Sequence, residues 1–471
     1  MSTAPSAPAP GASGPMSRHS WGGEFRALLT LGWPLVIAQL AQIALITTDV
    51  IMTGWLGPRF LAAAALANAL FIALQLFGLG LTDAVAPLVA QALGAGDRRS
   101  VRRTVRQGLW LALGTAILLL PVIWNIAPLY RLIGEDPALI VMSDRFVHFV
   151  VWMIVPTFLI SVLRGFLSAH GDTRIILWIT LTGVVVNALG DYALILGNWG
   201  MPRLELAGAG ISTTLVSLVM LGLTVAYIQL HRRYRRYHIF HRLFDADWPR
   251  LRELLRVGLP IGFIRLAEVL LFTSAALLQG LLGVDEVAAH AVALQLASIS
   301  FMVPLGLSIA ATVRVGLAFG EGDREGVRRA GWMALLLTVL FMAGTGICFE
   351  LFPRSLVSLF LNPDDPANTR AISLAASYVL VAGIFQIVDG TQVAMSGALR
   401  GLSDTRVPLV IALFGYWLVG FPVSYVLGFL FGLRGVGIWW GLASGLAVVG
   451  VLLAIRFALR DRLGLAEATP G

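Results

Sequence analysis

The chain has 471 residues, 58% of them hydrophobic and 13% charged, with a mean hydropathy of +0.83, which is too little polar surface to coat a soluble globule. Its formal charge of +8 comes from Arg alone, because no Lys is present, and the 34 Arg sit almost entirely between apolar runs. That is the pattern of orientation in a membrane, and it lacks the soluble basic face of a nucleic-acid binder; the lone Cys348, read as packing, excludes an internal disulfide.

Residues 1–25 are rich in Pro, Ala and Ser, lack the apolar centre of a secretory signal, and read as a disordered cytoplasmic tail. Apolar runs of about 20 residues, the length of an α-helix crossing roughly 30 Å of hydrocarbon, then recur twelve times. Candidate spans begin near Leu28, Leu61, Val101, Phe146, Ile175 and Ala207, forming an N-lobe over 26–230. After a basic linker over 231–255, six more begin near Arg256, Val287, Arg328, Leu374, Val407 and Val436, forming a C-lobe over 256–460 before a tail at 461–471. The fold class expected is an all-α polytopic membrane protein.

The loops set the orientation. Arg98, Arg99, Arg102, Arg103 and Arg106 follow the second span, and Arg232, Arg233, Arg235 and Arg236 follow the sixth. Those loops are expected in the cytoplasm, with both termini inside and the chain in the inner membrane.

The halves repeat. Leu28 to Gly108 lies on Leu254 to Ala334 without a gap, matching Gly32 and Pro34 to Gly258 and Pro260, Gly80 to Gly306, and the turn Gly94, Gly96, Asp97, Arg98 to Gly320, Gly322, Asp323, Arg324. A second block sets Gly165, Leu167, Asp172, Thr173 and Arg174 on Gly397, Leu399, Asp404, Thr405 and Arg406. Each repeat holds an even number of spans, so the two are parallel repeats about an axis along the membrane normal, and the substrate site is expected between them. The Gly-x-Gly-Asp turns lack the strand and Lys of a phosphate-binding loop and read as Gly ending one helix and Asp capping the next.

The repeat with its two turns, and the run Gln386 to Arg406 containing Asp389, Gln392 and Ser396 to Arg400, resemble the multidrug and toxic compound extrusion (MATE) family over nearly the whole chain after residue 25. Glu268, eight residues after Pro260, together with Asp389 resembles the bacterial NorM branch. The resemblance implies two six-helix lobes, a central cleft, and export of cationic or amphipathic drugs driven by sodium or protons. It also matches Asp49 to the family's first-helix Asp, and Asn187, Asp191 and Thr213, which Ser212 and Thr214 adjoin, to the polar network of its N-terminal lobe.

The residues support the same positions physically, since an ionised carboxylate in hydrocarbon is costly. Gln39, Gln42 and Asp49 share a helical face, either as a cavity lining or as an interhelical clamp. Asn187 and Asp191 are one turn apart and can reach one cation or share a proton, or Asp191 caps a broken helix. Glu268 should lie about 12 Å beyond Pro260, inside the membrane, where it is protonated or meets a cation. Asp389, with Gln386, Gln392 and Ser396 on its face, has the same choice, and sodium bound by Glu268 and Asp389 is one form of it. Arg265 stands one turn from Glu268 as the one Arg placed within a span: a static salt bridge, a pair that switches during transport, and snorkelling to the interface all remain open. The halves differ chemically, with Asp49 on Ala275, Glu268 on Gln42 and Asp389 on Thr157, which favours separate ion and substrate contacts.

Gln42, Gln392, Met52, Met302 and Phe385 are candidates for the substrate cleft, because thioethers and rings suit flat hydrophobic cations. His290 reads as a satisfied bundle histidine, and Asp83 as a group bonding a helix end. No nucleotide motif is present, so the driving energy is expected from ion gradients, worth about 2.3 kcal/mol per charge for 100 mV. No cofactor is expected beyond the transported ion, and the partners are the bilayer and small organic cations, with a monomer as the working unit. Two rivals remain: a lipid-linked flippase, which should show several Arg in its cavity, and an intramembrane enzyme, for which seven His and one Cys offer no recognisable constellation.

Overall fold

The computed structural model describes residues 20–241 and 245–465. Among the described residues, twelve helices are long and apolar enough to cross a membrane. The first six are α1 (Trp21–Gly54), α2 (Pro58–Gly94), α3 (Arg98–Trp124), α4 (Pro137–Ala169), α5 (Thr173–Leu194) and α6 (Leu206–Leu230). The second six are α7 (Trp248–Leu282), α8 (Val284–Gly320), α9 (Arg324–Leu351), α10 (Pro366–Gly401), α11 (Arg406–Leu430) and α12 (Arg434–Ala458). Their outer surfaces carry Ile117, Leu118, Leu230 and Val410, with exposed Trp21, Trp55 and Trp248 at helix ends and Trp199 in the α5–α6 loop, as lipid contact and an interfacial aromatic belt require.

Several helices begin before their apolar runs. The Ser20 hydroxyl accepts the Gly23 N–H at 3.0 Å, so α1 starts at Trp21 and residues 21–25 are helical rather than part of a disordered tail; residues 1–19 lie outside the described residues. Asp136, Asp247 and Asp365 accept the N–H of Ala138, Arg250 and Ala367, each with a Pro within two residues. A capping carboxylate followed by Pro starts a helix whatever the hydropathy, so α4, α7 and α10 begin at Pro137, Trp248 and Pro366 rather than near Phe146, Arg256 and Leu374. The linker thus shortens to 231–247 and includes a single turn at Arg232–Arg235; within it 242–244, like 466–471 of the C-terminal tail, lie outside the described residues. Cys348 is exposed on α9 beside Ile347, not packed inside the bundle.

The repeats exchange helices across the seam: α1 packs on α8, and α7 on α2. A Cβ on Gly80 would fall 2.5 Å from the Gly262 Cα, and one on its repeat partner Gly306 would fall 2.8 Å from the Val36 backbone. Gly94 and Gly320 approach the opposite helix's carbonyls, Leu317 O and Gln91 O, just as closely. The glycines that recur between halves therefore mark close backbone contact between lobes, where small residues let helices pack without a hydrophobic drive. The turns behave as expected: Gly96 and Gly322 take φ of +74° and +73°, and Asp97 and Asp323 accept the N–H of Ser100 and Gly326.

The N-terminus of α1, the α2–α3 and α8–α9 turns and the linker share one end, the basic face. Hydrogen bonds and ion pairs crossing between the lobes, among the described residues, gather in that half. Arg314 donates to both oxygens of Glu24 (2.8 and 2.6 Å), and Gln91 donates to Gly401 O (2.7 Å) and Ser403 Oγ (2.9 Å). The structure is closed at its basic face.

Candidate functional site

Two carboxylate clusters lie inside the lobes, and a third group of charges bridges them. In the N-lobe, Asn187 Nδ2 donates to Asp49 Oδ1 at 2.8 Å, tying α5 to α1. One turn on, Asp191 is fully buried beside Asp49 and Ser212. Thr213 also stands beside Asp49, its hydroxyl donating back to Ala209 O at 2.9 Å, whereas Thr214 turns away to Phe149 O. The sequence therefore names the right stretch of α6, but both Ser212 and Thr213 face the cluster. Both Asp191 oxygens, Asn187 Oδ1 and Ser212 Oγ have no hydrogen-bond partner among the described residues. Two adjoining carboxylates with unspent oxygens and no Arg beside them among the described residues can share a proton or hold a cation. The cluster is inside the N-lobe, about 7 Å from the end of α1 at Gly54, and not at the seam between halves.

In the C-lobe, Gln392 Nε2 donates to Glu268 Oε1 at 3.4 Å, joining α10 to α7. Asp389, one turn earlier on α10, is 5% exposed; its Oδ1, Gln392 Oε1 and both polar atoms of Gln386 have no partner among the described residues. Glu268 is surrounded by protein yet keeps accessible surface, as a side chain lining an internal cleft does. Tyr416 of α11 stands beside Glu268, Asp389 and Gln392. Nothing in the sequence marks it, because its placement depends on a π-helical stretch at Phe414–Gly420 that shifts the helix register. The donor set is oxygen only, as a hard cation prefers, and no group of three or more His, Cys, Asp or Glu gathers among the described residues.

Arg265 does not pair with Glu268. It forms an ion pair with Asp83 of α2, across the lobe boundary. The reason is helical phase: Gly258, Gly262 and Arg265 form one stripe at i, i+4 and i+7, and the glycines press that stripe onto α2. Glu268 lies some 60° round the helix and faces the C-lobe interior. Asp83 is thus an inter-lobe partner, also accepting the Ser161 hydroxyl at 3.1 Å, and not merely a group bonding a helix end. Nor is Arg265 alone within the spans. Arg164 of α4 and Arg400 of α10 both feel the Asp83 charge; Arg400 donates to Ser308 Oγ (2.9 Å) and Ser396 O (3.3 Å), and Arg164 has no hydrogen bond or ion pair among the described residues.

The cleft candidates separate. Gln42 and Met302 are partly accessible, and Met52 packs on the N-lobe core. Phe385 is 1% exposed, wedged between Phe272 and Trp439 in the C-lobe core, so it does not line the cleft; the apolar periodicity of α10 cannot tell inward from cleft-facing. His290 packs against the Trp439 ring, 5.6 Å between centroids, and neither ring nitrogen has a hydrogen-bond partner among the described residues, so it is not a satisfied histidine.

The MatE family profile matches residues 34–193 and 260–426, one segment in each lobe. A "Probable multidrug resistance protein NorM" of Mesorhizobium japonicum is 46% identical over 445 residues, covering 94% of this chain and 95% of that one. Its namesake from Brucella suis is 46% identical over 442 residues, covering 93% and 94%. Among solved structures, the eukaryotic MATE transporter AtDTX14 superposes with a TM-score of 0.84 at 22% identity, covering 95% of this chain and 98% of that one. A point mutant of the Vibrio cholerae MATE transporter VcmN superposes at 0.85 with 18% identity, covering 95% and 99%, a likeness of fold. With a duplicated six-helix architecture, buried carboxylates in both lobes and full-length likeness to NorM proteins, the chain belongs to the multidrug and toxic compound extrusion family of transporters, in its NorM-like branch.

Proposed function

We propose that this chain exports cationic or amphipathic organic compounds in exchange for sodium or protons by alternating access. The observation that carries the reading is Arg265, which holds the lobes together through Asp83 while standing one turn from Glu268. A buried charge left without a partner costs several kcal/mol, so each state of the cycle must pair these groups. With a cation or proton on Glu268, Arg265 is free to hold Asp83 and the basic face stays closed. When Glu268 gives up that charge it draws Arg265 back, and Asp83 turns to Arg164 in its own lobe. Arg265, Asp83 and Glu268 keep a partner in both states, and Arg164, which has none in the closed structure among the described residues, gains one as the closed end is released. Asp49 and Asp191 form a second coupling pair in the N-lobe.

The excess of Arg at the basic face supports a cytoplasmic assignment for that side, in an inner membrane. The names of the NorM relatives support drugs as the cargo. No cofactor enters the scheme, the coupling ion being cargo, and a monomer contains all the groups it uses. The convergence of Arg164, Arg265 and Arg400 favours one second reading, a flippase whose arginines hold a lipid diphosphate. Proteoliposomes loaded with ethidium separate the two when sodium and pH gradients are imposed in turn. Efflux that follows one gradient is expected; efflux indifferent to both, or translocation of a lipid diphosphate in its place, overturns the antiport reading.

A further inference from the structure

The basic face of the N-lobe holds a cavity of about 560 Å³ whose wall includes Arg98, Arg99, Arg102, Arg233 and Arg236 and, among the described residues, no carboxylate. The first three project from the opening turns of α3 and the other two from the linker. The linker is fastened so that the two sets face each other. Tyr237 OH meets His170 Nε2 at 2.9 Å, the Tyr234 hydroxyl donates to Asp172 at 3.0 Å, and Arg106 donates to His238 O and Ile239 O at 3.0 and 3.1 Å. Burial pushes the His170 imidazole down to about 4, so it is neutral near pH 7 and the charge of the cavity is that of its arginines.

None of the five makes an ion pair among the described residues, and Arg102 Nε is buried with no hydrogen-bond partner. The contrast within one helical turn is informative. Arg103, on the adjoining wall, has Asp247 as its counter-ion, whereas Arg99 and Arg102 border both cavities and have none. Orientation in a membrane requires arginines on this face, but it does not require five to converge on one hollow and bury a guanidinium N–H there. Convergent guanidinium forks match phosphate oxygens in pairs, and a hollow at headgroup level is where a phospholipid presents them.

We propose that this cavity binds a phosphate group, borne by an anionic phospholipid of the adjoining leaflet or by a soluble phosphate. The test titrates the purified full chain in neutral detergent with short-chain phosphatidylglycerol and, separately, with inorganic phosphate against chloride at equal ionic strength, reading thermal melting. Saturable stabilisation is expected, weakened roughly tenfold or more in Arg102→Gln/Arg233→Gln and by less than about twofold in Arg406→Gln/Arg462→Gln, whose arginines are exposed outside the cavity. Stabilisation by both probes assigns recognition to the phosphate itself; by the lipid alone, to a headgroup; by inorganic phosphate alone, to a soluble anion. If the double variant does not fold, Arg102→Lys, which keeps the charge and loses the fork, should still weaken binding roughly fivefold. No stabilisation by either probe, or equal weakening in the pair outside the cavity, overturns the proposal.

Discussion

The two carboxylate clusters occupy lobes related by a repeat, yet they are built differently. In the N-lobe, Asp49 and Asp191 press together with an amide and two hydroxyls, near the end of α1 away from the basic face. In the C-lobe, Glu268 and Asp389 lie deeper, with Gln392 and Tyr416 around them and the charges of Arg265 and Arg400 within reach. Duplication copied the scaffold, visible in the matching approaches of Gly80 to Gly262 and of its repeat counterpart Gly306 to Val36, and of Gly94 to Leu317 and Gly320 to Gln91, but not the chemistry. The difference lies in their neighbours: Glu268 has the charges of Arg265 and Arg400 within reach, whereas Asp49 and Asp191 have no basic side chain beside them among the described residues. Under the proposed cycle, therefore, only the C-lobe cluster acts on the seam.

The comparison breaks most readily at Asp389. Asp389→Asn keeps shape and removes charge, and should reduce gradient-driven ethidium efflux from vesicles by about a hundredfold, whereas Asp49→Asn should cost about tenfold because Asp191 remains to take up a charge. Equal losses would erase the proposed difference between lobes. A smaller effect sharpens the link to the seam. Arg265→Gln should slow efflux about tenfold, and the exchange Asp83→Arg/Arg265→Asp should recover much of it, with a double-mutant coupling of about 1–3 kcal/mol. Additive losses would mean that the ion pair is incidental. The smallest effect concerns His170, whose repeat position in the C-lobe is Leu402. Its imidazole is held near 4 against 6.5 when unfolded, so the unfolded chain binds the extra proton between those values. The stabilisation is complete above about pH 6.5 and lost as pH falls towards 4, the loss reaching about 1–2 kcal/mol by pH 5.5. Melting curves of the wild type and His170→Gln should diverge over that window by a few degrees, and parallel curves would place the ring in water.

Much of the architecture was legible in the sequence because hydrocarbon forces it: runs of twenty apolar residues become helices, and loop arginines sort to one side. Hydropathy does not mark the helix starts at Pro137, Trp248 and Pro366, although Asp136-Pro137, Asp247-Trp248-Pro249 and Asp365-Pro366 carry the cap signal. Asp49, Asn187, Asp191, Glu268, Asp389 and Gln392 could be singled out because polar groups in apolar spans are expensive. Their grouping along one helix, Asn187 with Asp191 and Asp389 with Gln392, was legible from spacing; which neighbouring helix each one turns toward was not.

The sequence by itself determined that this chain spans a membrane as twelve helices in two copies, and that a handful of carboxylates lie within them, because composition and periodicity are local properties. Tertiary structure alone decided that Arg265 turns to Asp83 rather than Glu268, that Tyr416 joins the C-lobe cluster through a π-helical stretch, and that Phe385 is core. Those outcomes depend on the rotational phase of one helix against another. At the seam the contacts of Gly258 and Gly262 with α2 set that phase for Arg265, and no pattern along a single chain segment encodes it.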